Sequence, residues 1–459
     1  MPGLDSPDLS YMVTTATWTS EQVLALSPDA GSTKRGQALA TTAKWPILGC
    51  CEQAAWGECK GSGKTPYRTT IDLSEPAFRC SCPSRKFPCK HALGLFLLLA
   101  EGASFTRTTP PDWVLEWLEN RTLSAQKRTQ KQTKAASNPT AQAKRSQKRA
   151  AKVEAGLIDL DRWLQDIIRQ GLADLPNKPY SFWDRTAARL VDAQAPGLAR
   201  RIQNLAGIPH TGEGWPAKML FALGQLHLLV QGYRNIETLS PQMQAEVRSQ
   251  IGWTQNQTDL LAQLEQSSPL IESVEDTWQV LGKVVNKEAS LKVQRVWLWG
   301  AGSQQAALVL SFAHGRSPLD VSLVPGACFS GEIVLYPGTG IRRALVRSRV
   351  PSKNLNRNAL GVASIEQAIA QYAKTLCENP WTVQFPIALS RVWLRQEKDR
   401  WWLHDEANAA IPLTSRFESG WELVAMSGGR PLSMFGEWNS ETFLPLSLWS
   451  KKSFIPLGD

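Results

Sequence analysis

The chain has 459 residues, of which 42% are hydrophobic, and it carries a formal net charge of +10. At about 150 residues a domain, this length predicts three folded units, each large enough to bury a core. The start of the chain has no basic and apolar regions of a secretory signal, and no apolar run reaches the roughly 18 residues of a membrane helix. These features exclude the membrane and secreted classes, and we expect a soluble, cytoplasmic protein.

The region before residue 60 predicts structure without a catalytic motif. A short helix is expected from Ser20, where a polar cap precedes an apolar pattern. Cys50, Cys51 and Cys59 follow, and their spacing matches no standard metal pattern. Buried free thiols are therefore favoured over a second metal site.

The run from Gly61 to Thr65 is similar to the end of a nucleotide-binding P-loop but departs from it in two ways. The position that should hold the first glycine of the loop is Glu58. Pro66 and a strand-like run follow where a helix should receive the phosphates. We therefore expect a glycine turn between two strands.

Two short pairs of metal-binding side chains stand close together, at Cys80-Ser-Cys82 and Cys89-Lys-His91. Zn²⁺ prefers four thiolate and imidazole ligands, and each pair supplies two from a bent segment. A closed structural zinc site is favoured over a disulfide or four unligated buried side chains, and a closed shell argues against hydrolase chemistry. Neighbouring cations favour the deprotonated thiols that the metal requires: Arg79, Arg85, Lys86 and Lys90.

The flanking sequence predicts how these ligands are held. Residues 67–73 alternate β-forming side chains, so the first pair is expected to follow a strand or hairpin. The apolar run from Ala92 to Gly102 predicts a short buried helix directly after His91. Because residues two apart diverge in a regular helix, Cys89 and His91 can reach one ion only from either side of the helix start. The metal would join a strand to a helix.

This pattern of CxC, spacer and CxH, between a β element and a helix, resembles the SWIM zinc finger. The resemblance to bacterial SWIM-containing proteins covers most of the chain, including VDAQAPGLARR from residue 191 and VAMSGGRPLSMFGEW from residue 424. It implies a zinc-binding module for contacts with DNA or protein, with Cys80, Cys82, Cys89 and His91 as ligands. Bacterial relatives are associated with MoxR-type AAA+ ATPases and von Willebrand A-domain proteins, which implies such an assembly as a possible protein partner.

Most of the net charge lies in residues 124–152, which contain nine Lys or Arg and no Asp or Glu, so that the rest of the chain carries only +1. The segment lacks aromatic and large aliphatic residues and predicts a disordered linker. A solvated spacer is the more common use of such a segment, and a salt-sensitive nucleic-acid contact is the alternative. On an induced helix, cations at four-residue spacing would form a stripe: Lys144, Arg145, Lys148, Arg149 and Lys152.

Two further units are predicted after the linker. Residues 153–290 carry helical periodicity with caps and stops, which indicates an all-α bundle. Residues 291–459 are short β-rich runs with one helix after Ser364, which favours a barrel or sandwich. Eight of the nine tryptophans here predict a Trp-rich core, with an exposed contact surface as the alternative: Trp297, Trp299, Trp393, Trp401, Trp402, Trp421, Trp438 and Trp449.

The predicted fold class is α+β and multi-domain. An N-terminal domain (1–123) with a ββα-like zinc finger at about 65–101 precedes the linker, the helical domain and the Trp-rich, mostly-β domain. No zinc-protease, nucleophile-elbow or dinucleotide motif is present, so we expect neither catalytic residues nor a small-molecule substrate. The predicted function is a zinc-binding interaction protein that contacts nucleic acid or protein through the finger and the linker. The predicted contact residues of the finger are Arg79, Arg85, Lys86 and Lys90. A protein adaptor for a AAA+ assembly, without nucleic-acid contact, is the alternative.

Overall fold

A computed structural model of the chain contains three sheets, a helical bundle and connecting helices. None of the described helices is both long and apolar enough to span a bilayer. The structure describes residues 18, 20–24, 26–61, 65–73, 77–84, 86–135, 139–253, 255–288, 291–314, 319–352, 361–415, 417–450 and 453–457.

The N-terminal domain is a five-stranded sheet with helices on both faces. Its elements are α1 (Ser20–Leu24), α2 (Ala30–Gln37), β1 (Ile47–Cys50), β2 (Ala54–Cys59), β3 (Tyr67–Asp72), β4 (Ala77–Cys80), α3 (Lys90–Ala100), β5 (Thr106–Arg107) and α4 (Asp112–Ala135). The strands lie in the order β4-β3-β2-β1-β5, antiparallel except for β1 with β5. The predicted strand at 67–73 and the helix after the second ligand pair are both present. Residues 62–64 of the glycine run lie outside the described residues, between β2 and β3.

Helix α3 covers one face of this sheet with a continuous apolar surface. Phe96 is fully buried in a core that includes Ile71 of β3. Close contact with the end of α2 depends on glycine, because a Cβ on Gly94 would lie 3.2 Å from the Gly36 carbonyl oxygen and 2.8 Å from the Cβ of Leu39, just after the helix. On the opposite face, Val114 and Leu118 of α4 pack against Trp56 of β2. The metal-binding segment therefore sits at the edge of a filled three-layer unit.

The helical domain is formed by α5 (Pro139–Gln170), α6 (Tyr180–Asp192), α7 (Pro196–Leu205), α8 (Trp215–Arg234), α9 (Pro241–Ile251) and α10 (Gln257–Glu265). Helices α5 to α9 share one apolar core that includes Leu157, Trp183 and Met219. Helix α9 has the predicted ends, since the Ser240 side chain caps its first turn and Gly252 follows in a left-handed conformation with φ of 106°. The central bundle predicted from the sequence is confirmed.

Parts of the basic segment at 124–152 are helical, and the disordered linker that the sequence predicts there stays a prediction. The segment extends α4 to Ala135 and forms the first turns of α5 from Pro139. Its alanine, lysine and glutamine residues cannot build a core, but they have high helix propensity. Arg149 also attaches α5 to the bundle: its guanidinium donates to the Gly252 carbonyl oxygen at 3.0 Å and stacks on the Trp253 ring at 5.0 Å.

The first β unit contains β6 (Glu272–Glu288), β7 (Leu291–Gly300), β8 (Ala306–His314), β9 (Cys328–Leu335), β10 (Arg343–Val346) and β11 (Val350–Ser352). Strand β6 begins within the range 153–290 that the sequence predicted as helical, so the change to β structure comes earlier than residue 291. The physical reason is its content of β-branched and aromatic residues, such as Val274, Thr277 and Trp278, which favour a pleated surface.

Five of these strands, β6 to β10, close into a barrel, and β11 pairs with the start of β9. Strand β6 pairs antiparallel with β7 and β9, β7 with β8, and β9 with β10. The barrel closes through a parallel pairing of β8 with β10, which sets Leu308 opposite Arg343. If β6 to β10 are numbered 1 to 5, the order of the strands around the barrel is 1-2-3-5-4-1, and strands 3 and 5 are parallel. This is the connectivity of an OB-type Greek-key barrel.

The second β unit repeats this connectivity. Its elements are α11 (Ile365–Glu378), β12 (Phe385–Glu397), β13 (Arg400–His404), β14 (Ala410–Pro412), α12 (Gly420–Ser427), β15 (Leu432–Trp438), β16 (Phe443–Trp449) and β17 (Phe454–Pro456). Strand β12 pairs with β13 and β15, β13 with β14, and β15 with β16. A parallel bridge between Leu413 and Phe443 links the third strand to the fifth. The predicted cap of α11 is also present, with Ser364 Oγ accepting from the Gln367 N–H at 3.0 Å.

A buried charged group joins the two barrels. Glu437 of β15 accepts two hydrogen bonds from the Arg295 guanidinium, at 2.8 and 2.7 Å, and one from Trp297 Nε1 at 2.8 Å. Leu281 and Leu446 belong to the apolar cluster at this interface. The charge is thus enclosed with its hydrogen-bonding partners between two β surfaces.

The eight tryptophans named above lie mainly inside the β region. Trp297, Trp438 and Trp449 are buried, whereas Trp421 is 65% exposed. The other four are half-buried. A mainly structural role for these residues is consistent with the Trp-rich core that the sequence favoured.

Candidate zinc centre

The four predicted metal-binding side chains meet at one point of the N-terminal domain. The Sγ atoms of Cys80, Cys82 and Cys89 and a ring nitrogen of His91 all lie within 4.8 Å of one another. Cys80 Sγ is 3.7 Å from His91 Nδ1. In the part of the chain that the structure describes, no other group of three or more His, Cys, Asp and Glu side chains converges in this way.

The first pair of ligands is positioned by a β-hairpin. Cys80 is the last residue of β4 and lies opposite Thr69 of β3. The chain then turns, held by a hydrogen bond from the Ser81 N–H to the Arg68 carbonyl oxygen at 3.0 Å. This turn brings Cys82 back towards the Cys80 side chain.

The second pair is positioned by the start of α3. Cys89 is the N-cap of this helix and has an extended backbone, with φ of −78° and ψ of 167°. His91 follows in the first turn and is buried. The two residues therefore lie on either side of the helix start, which is the geometry required by their two-residue spacing.

Hydrogen bonds to the sulfur atoms favour thiolates. The Thr69 hydroxyl donates to Cys80 Sγ at 3.3 Å. Such donors lower the energy of the charged form and orient the ligand. Backbone N–H groups also favour the charged form of each sulfur and act to lower its pKa: that of Cys82 on Cys80, that of Ser84 on Cys82 and that of Ala92 on Cys89.

The protonation of the cluster is uneven. Hydrogen bonds from Cys80 and His91 lower the pKa of Cys89 to about 4 despite its burial. The pKa of Cys80 is raised because its thiol donates to Cys89 and is buried, and burial raises the pKa of Cys82. One thiolate is thus stabilised by the protein itself, and a bound dication would supply the charge that stabilises the other two.

The donor set and its spacing fit Zn²⁺. Tetrahedral zinc with Zn–S of about 2.3 Å and Zn–N of about 2.0 Å sets its donor atoms roughly 3.5–3.8 Å apart. The cluster already lies within 4.8 Å, and one S···N edge is 3.7 Å. Three sulfurs and one imidazole complete the shell, so this is a structural type of site without an open position for water.

Two protein-family models match the chain at this site and at the bundle. A model described as SWIM zinc finger matches residues 67–100, from the start of β3 to the end of α3. The chain therefore contains a SWIM zinc finger. A second model, the SWIM-associated four-helix bundle domain, matches residues 148–251, from α5 to α9. No curated protein and no solved structure gives a significant match.

The SWIM match and the Cys₃His cluster together support Zn²⁺ as the cofactor of this protein. Both matched modules are of kinds that typically mediate interactions with protein or DNA. The upstream thiols do not join the SWIM cluster: Cys50 and Cys59 are buried, and burial raises the pKa of each.

The predicted contact residues of the SWIM finger have different surroundings. Arg79 and Lys90 are exposed. Lys86 forms an ion pair with Asp29 at 2.5 Å, so it ties the ligand loop to the N-cap of α2. Arg85 lies outside the described residues.

The predicted contact residues of α5 also divide into two groups. Lys144 and Lys148 are exposed, as is Lys152 one turn later. Arg149 is held against the bundle by Gly252 and Trp253, as described above. The backbone of Arg145 is helical, but its side chain lies outside the described part of the structure.

One residue of the site was missed by the sequence reasoning. Thr69 is fully buried and supports Cys80 through its hydroxyl. The signal that could have identified it is strand register, because a hairpin joining residues 67–73 to the CxC pair sets a β3 residue opposite Cys80.

Proposed function

We propose that this protein is a zinc-stabilised, non-catalytic interaction protein that binds nucleic acid through the SWIM finger and the first turns of α5. The observation that carries the proposal is the row of exposed lysines on α5, Lys144, Lys148 and Lys152, at one-turn spacing. The surrounding segment 124–152 contains no acidic residue to neutralise them. Such a row suits the regular spacing of backbone phosphates.

In this proposal, Cys80, Cys82, Cys89 and His91 bind the zinc ion, and the ion holds β4 and α3 in a fixed relation. Arg79 precedes the first ligand and Lys90 lies between the last two. The bonds between zinc and its ligands therefore also fix the backbone that carries these two exposed side chains. The ion thus has a structural role, and its chemical contribution is to keep three thiolates together at neutral pH. Because free thiols persist in a reducing compartment, a cytoplasmic site of action fits this centre.

The expected result for the double variant Lys144→Gln/Lys148→Gln is weaker nucleic-acid binding with a smaller salt dependence. Each lost phosphate contact should reduce the slope of log K against log salt by about 0.7–0.9. Fluorescence anisotropy with a labelled oligonucleotide at several salt concentrations measures both quantities.

Arg162→Gln/Arg169→Gln is the matched control, because it removes two cations from the same helix outside the basic segment. Both arginines are about three-quarters exposed, at 74% and 73%. Equal slopes in the two double variants, or no detectable association of the wild type with DNA or RNA, would overturn the proposal.

A second candidate function, a protein adaptor, is favoured by an exposed apolar row on α8. Leu220, Phe221 and Leu228 are 56, 59 and 45% exposed, although they belong to a helix whose other face is fully buried. Exposed apolar patches of this kind mark protein contacts. A AAA+ ATPase or von Willebrand A-domain partner would fit the family resemblance. A stoichiometric complex that survives nuclease treatment and is lost in Phe221→Ser would support this role, whereas capture of nucleic acid alone would count against it.

A further inference from the structure

A large cleft separates the helical bundle from the first barrel. Its volume is about 1950 Å³, whereas small-molecule pockets usually measure roughly 300–1,000 Å³. Seven arginines and four carboxylates line it, together with six Tyr, Trp and Phe side chains. The size indicates a polymer, and the excess of arginine indicates an anionic one.

The barrel wall of the cleft is the outer face of its second and third strands. Along β7, Val296 and Leu298 lie in the barrel core, and Arg295 and Trp297 alternate with them on the outer face, where both are buried against the second barrel at one side of the cleft. Strand β8 contributes Phe312, which is 48% exposed. In OB-type barrels this face carries the ligand, and here it opens on the cleft.

The cations of the cleft differ in whether a carboxylate already neutralises them. Arg234 and Arg342 form ion pairs with acids of the protein, as does Arg295 with Glu437. Arg343 has no acidic partner among the described residues, and its Nε has no hydrogen-bond acceptor. The positive charge of Arg343 is therefore available to an anionic ligand.

Arg343 is held between two aromatic rings. Its guanidinium carbon lies 4.4 Å from the centre of the Tyr336 ring and 5.7 Å from that of the Phe312 ring. On the bundle wall, Arg248 is exposed, and the described structure shows no carboxylate bound to it. Trp253 lines the same wall. Both walls thus pair a cation with an aromatic surface.

Aromatic rings beside arginines that no carboxylate neutralises favour one class of ligand. Unstacked bases can stack on exposed rings, and arginine N–H groups donate to phosphate oxygens, whereas the paired bases of a duplex offer no free ring faces. Uncharged oligosaccharides, the other common ligands of OB-type barrels, gain nothing from unneutralised arginine.

We propose that the cleft binds single-stranded nucleic acid, with bases stacked on Phe312 and backbone phosphates on Arg343 and Arg248. The site is separate from the SWIM finger and from the α5 lysines. It gives the protein a second, shape-selective contact that the family match does not include.

The test is binding of labelled 15-residue oligo(dT) and oligo(U) to the full chain by fluorescence anisotropy. Phe312→Ala is expected to weaken binding by about 5- to 100-fold, the usual effect of losing a stacking platform. Arg343→Gln should also weaken binding and reduce its salt dependence, because it removes a phosphate contact. An unlabelled duplex of equal length should compete poorly with the single strands.

Two matched controls lie outside the cleft on the second barrel. Arg400→Gln removes an arginine stacked on Trp402 at 5.7 Å, and Trp421→Ala removes an aromatic ring that is 65% exposed. Both should bind within about twofold of the wild type, and thermal melting of all four variants checks folding.

Crosslinking of an oligonucleotide that carries 4-thiouridine locates the site independently, and β8 peptides are the expected products. Wild-type affinity in both cleft variants, equal loss in the controls, or crosslinks confined to the finger would overturn the cleft assignment. The α5 double variant separates the two proposals: if it alone weakens binding, the proposed function stands and the cleft assignment fails. If the cleft variants alone weaken binding, the reverse holds.

Discussion

The Cys89→Ser chain is expected to bind no zinc and to lose the native packing of its N-terminal domain. Zinc in structural finger sites contributes about 10–16 kcal/mol at neutral pH, which is as large as the whole stability of a typical domain, about 5–15 kcal/mol. Cys89 is also the N-cap of α3 and accepts hydrogen bonds from its neighbours. Its loss therefore removes the ion and the attachment of α3 to β4 together.

Zinc release and hydrogen exchange measure this effect. The amides of α3 should lose protection in Cys89→Ser and in the wild type treated with a chelator, and added zinc should restore the wild type alone. Cys51→Ser is the matched control, because Cys51 lies in the same domain but outside the cluster. Full protection of α3 in the zinc-free protein would show that the apolar core around Phe96 holds the helix without the ion.

Glu437→Ala is expected to destabilise the C-terminal barrels by about 3–5 kcal/mol, because it leaves a buried cation without its partner. The Arg295 and Glu437 side chains are only 10% and 4% exposed. The substitution also removes the acceptor of the Trp297 indole N–H. The cost is mainly the penalty of the unpaired charge, since the intact pair itself is not a large source of stability.

Glu441→Ala is the comparison for this variant. Glu441 also belongs to an ion pair, with Lys218 at 2.8 Å, but its side chain is 51% exposed. An exposed pair of this kind contributes under about 1 kcal/mol. Urea unfolding followed by tryptophan fluorescence compares the two, and similar midpoints would contradict the assignment of a buried ionic link between the barrels.

The zinc finger could be predicted from the sequence because its determinants are local. Cys80 and Cys82, then Cys89 and His91, lie within twelve residues of the chain, and the adjoining strand and helix each have a clear periodicity. The caps of α9 and α11 were also predicted, since Ser240 and Ser364 bond to N–H groups three residues away.

The barrels and the cleft could not be predicted in this way. Their closure depends on pairs such as Leu308 with Arg343, which are distant in sequence and leave no periodic signal. The same holds for Arg149, whose acceptor Gly252 is 103 residues away. The prediction of a disordered linker at 124–152 rests on the absence of core residues, and it stays a prediction; the helix propensity of the segment and this one anchor are the features that favour helix there.

The most direct test of the zinc assignment is X-ray absorption at the zinc edge of the purified protein, together with its metal content. We predict one zinc per chain, with three sulfur atoms at about 2.3 Å and one nitrogen at about 2.0 Å. A protein that is folded but carries no stoichiometric zinc, or a shell with fewer than three sulfurs, would contradict it.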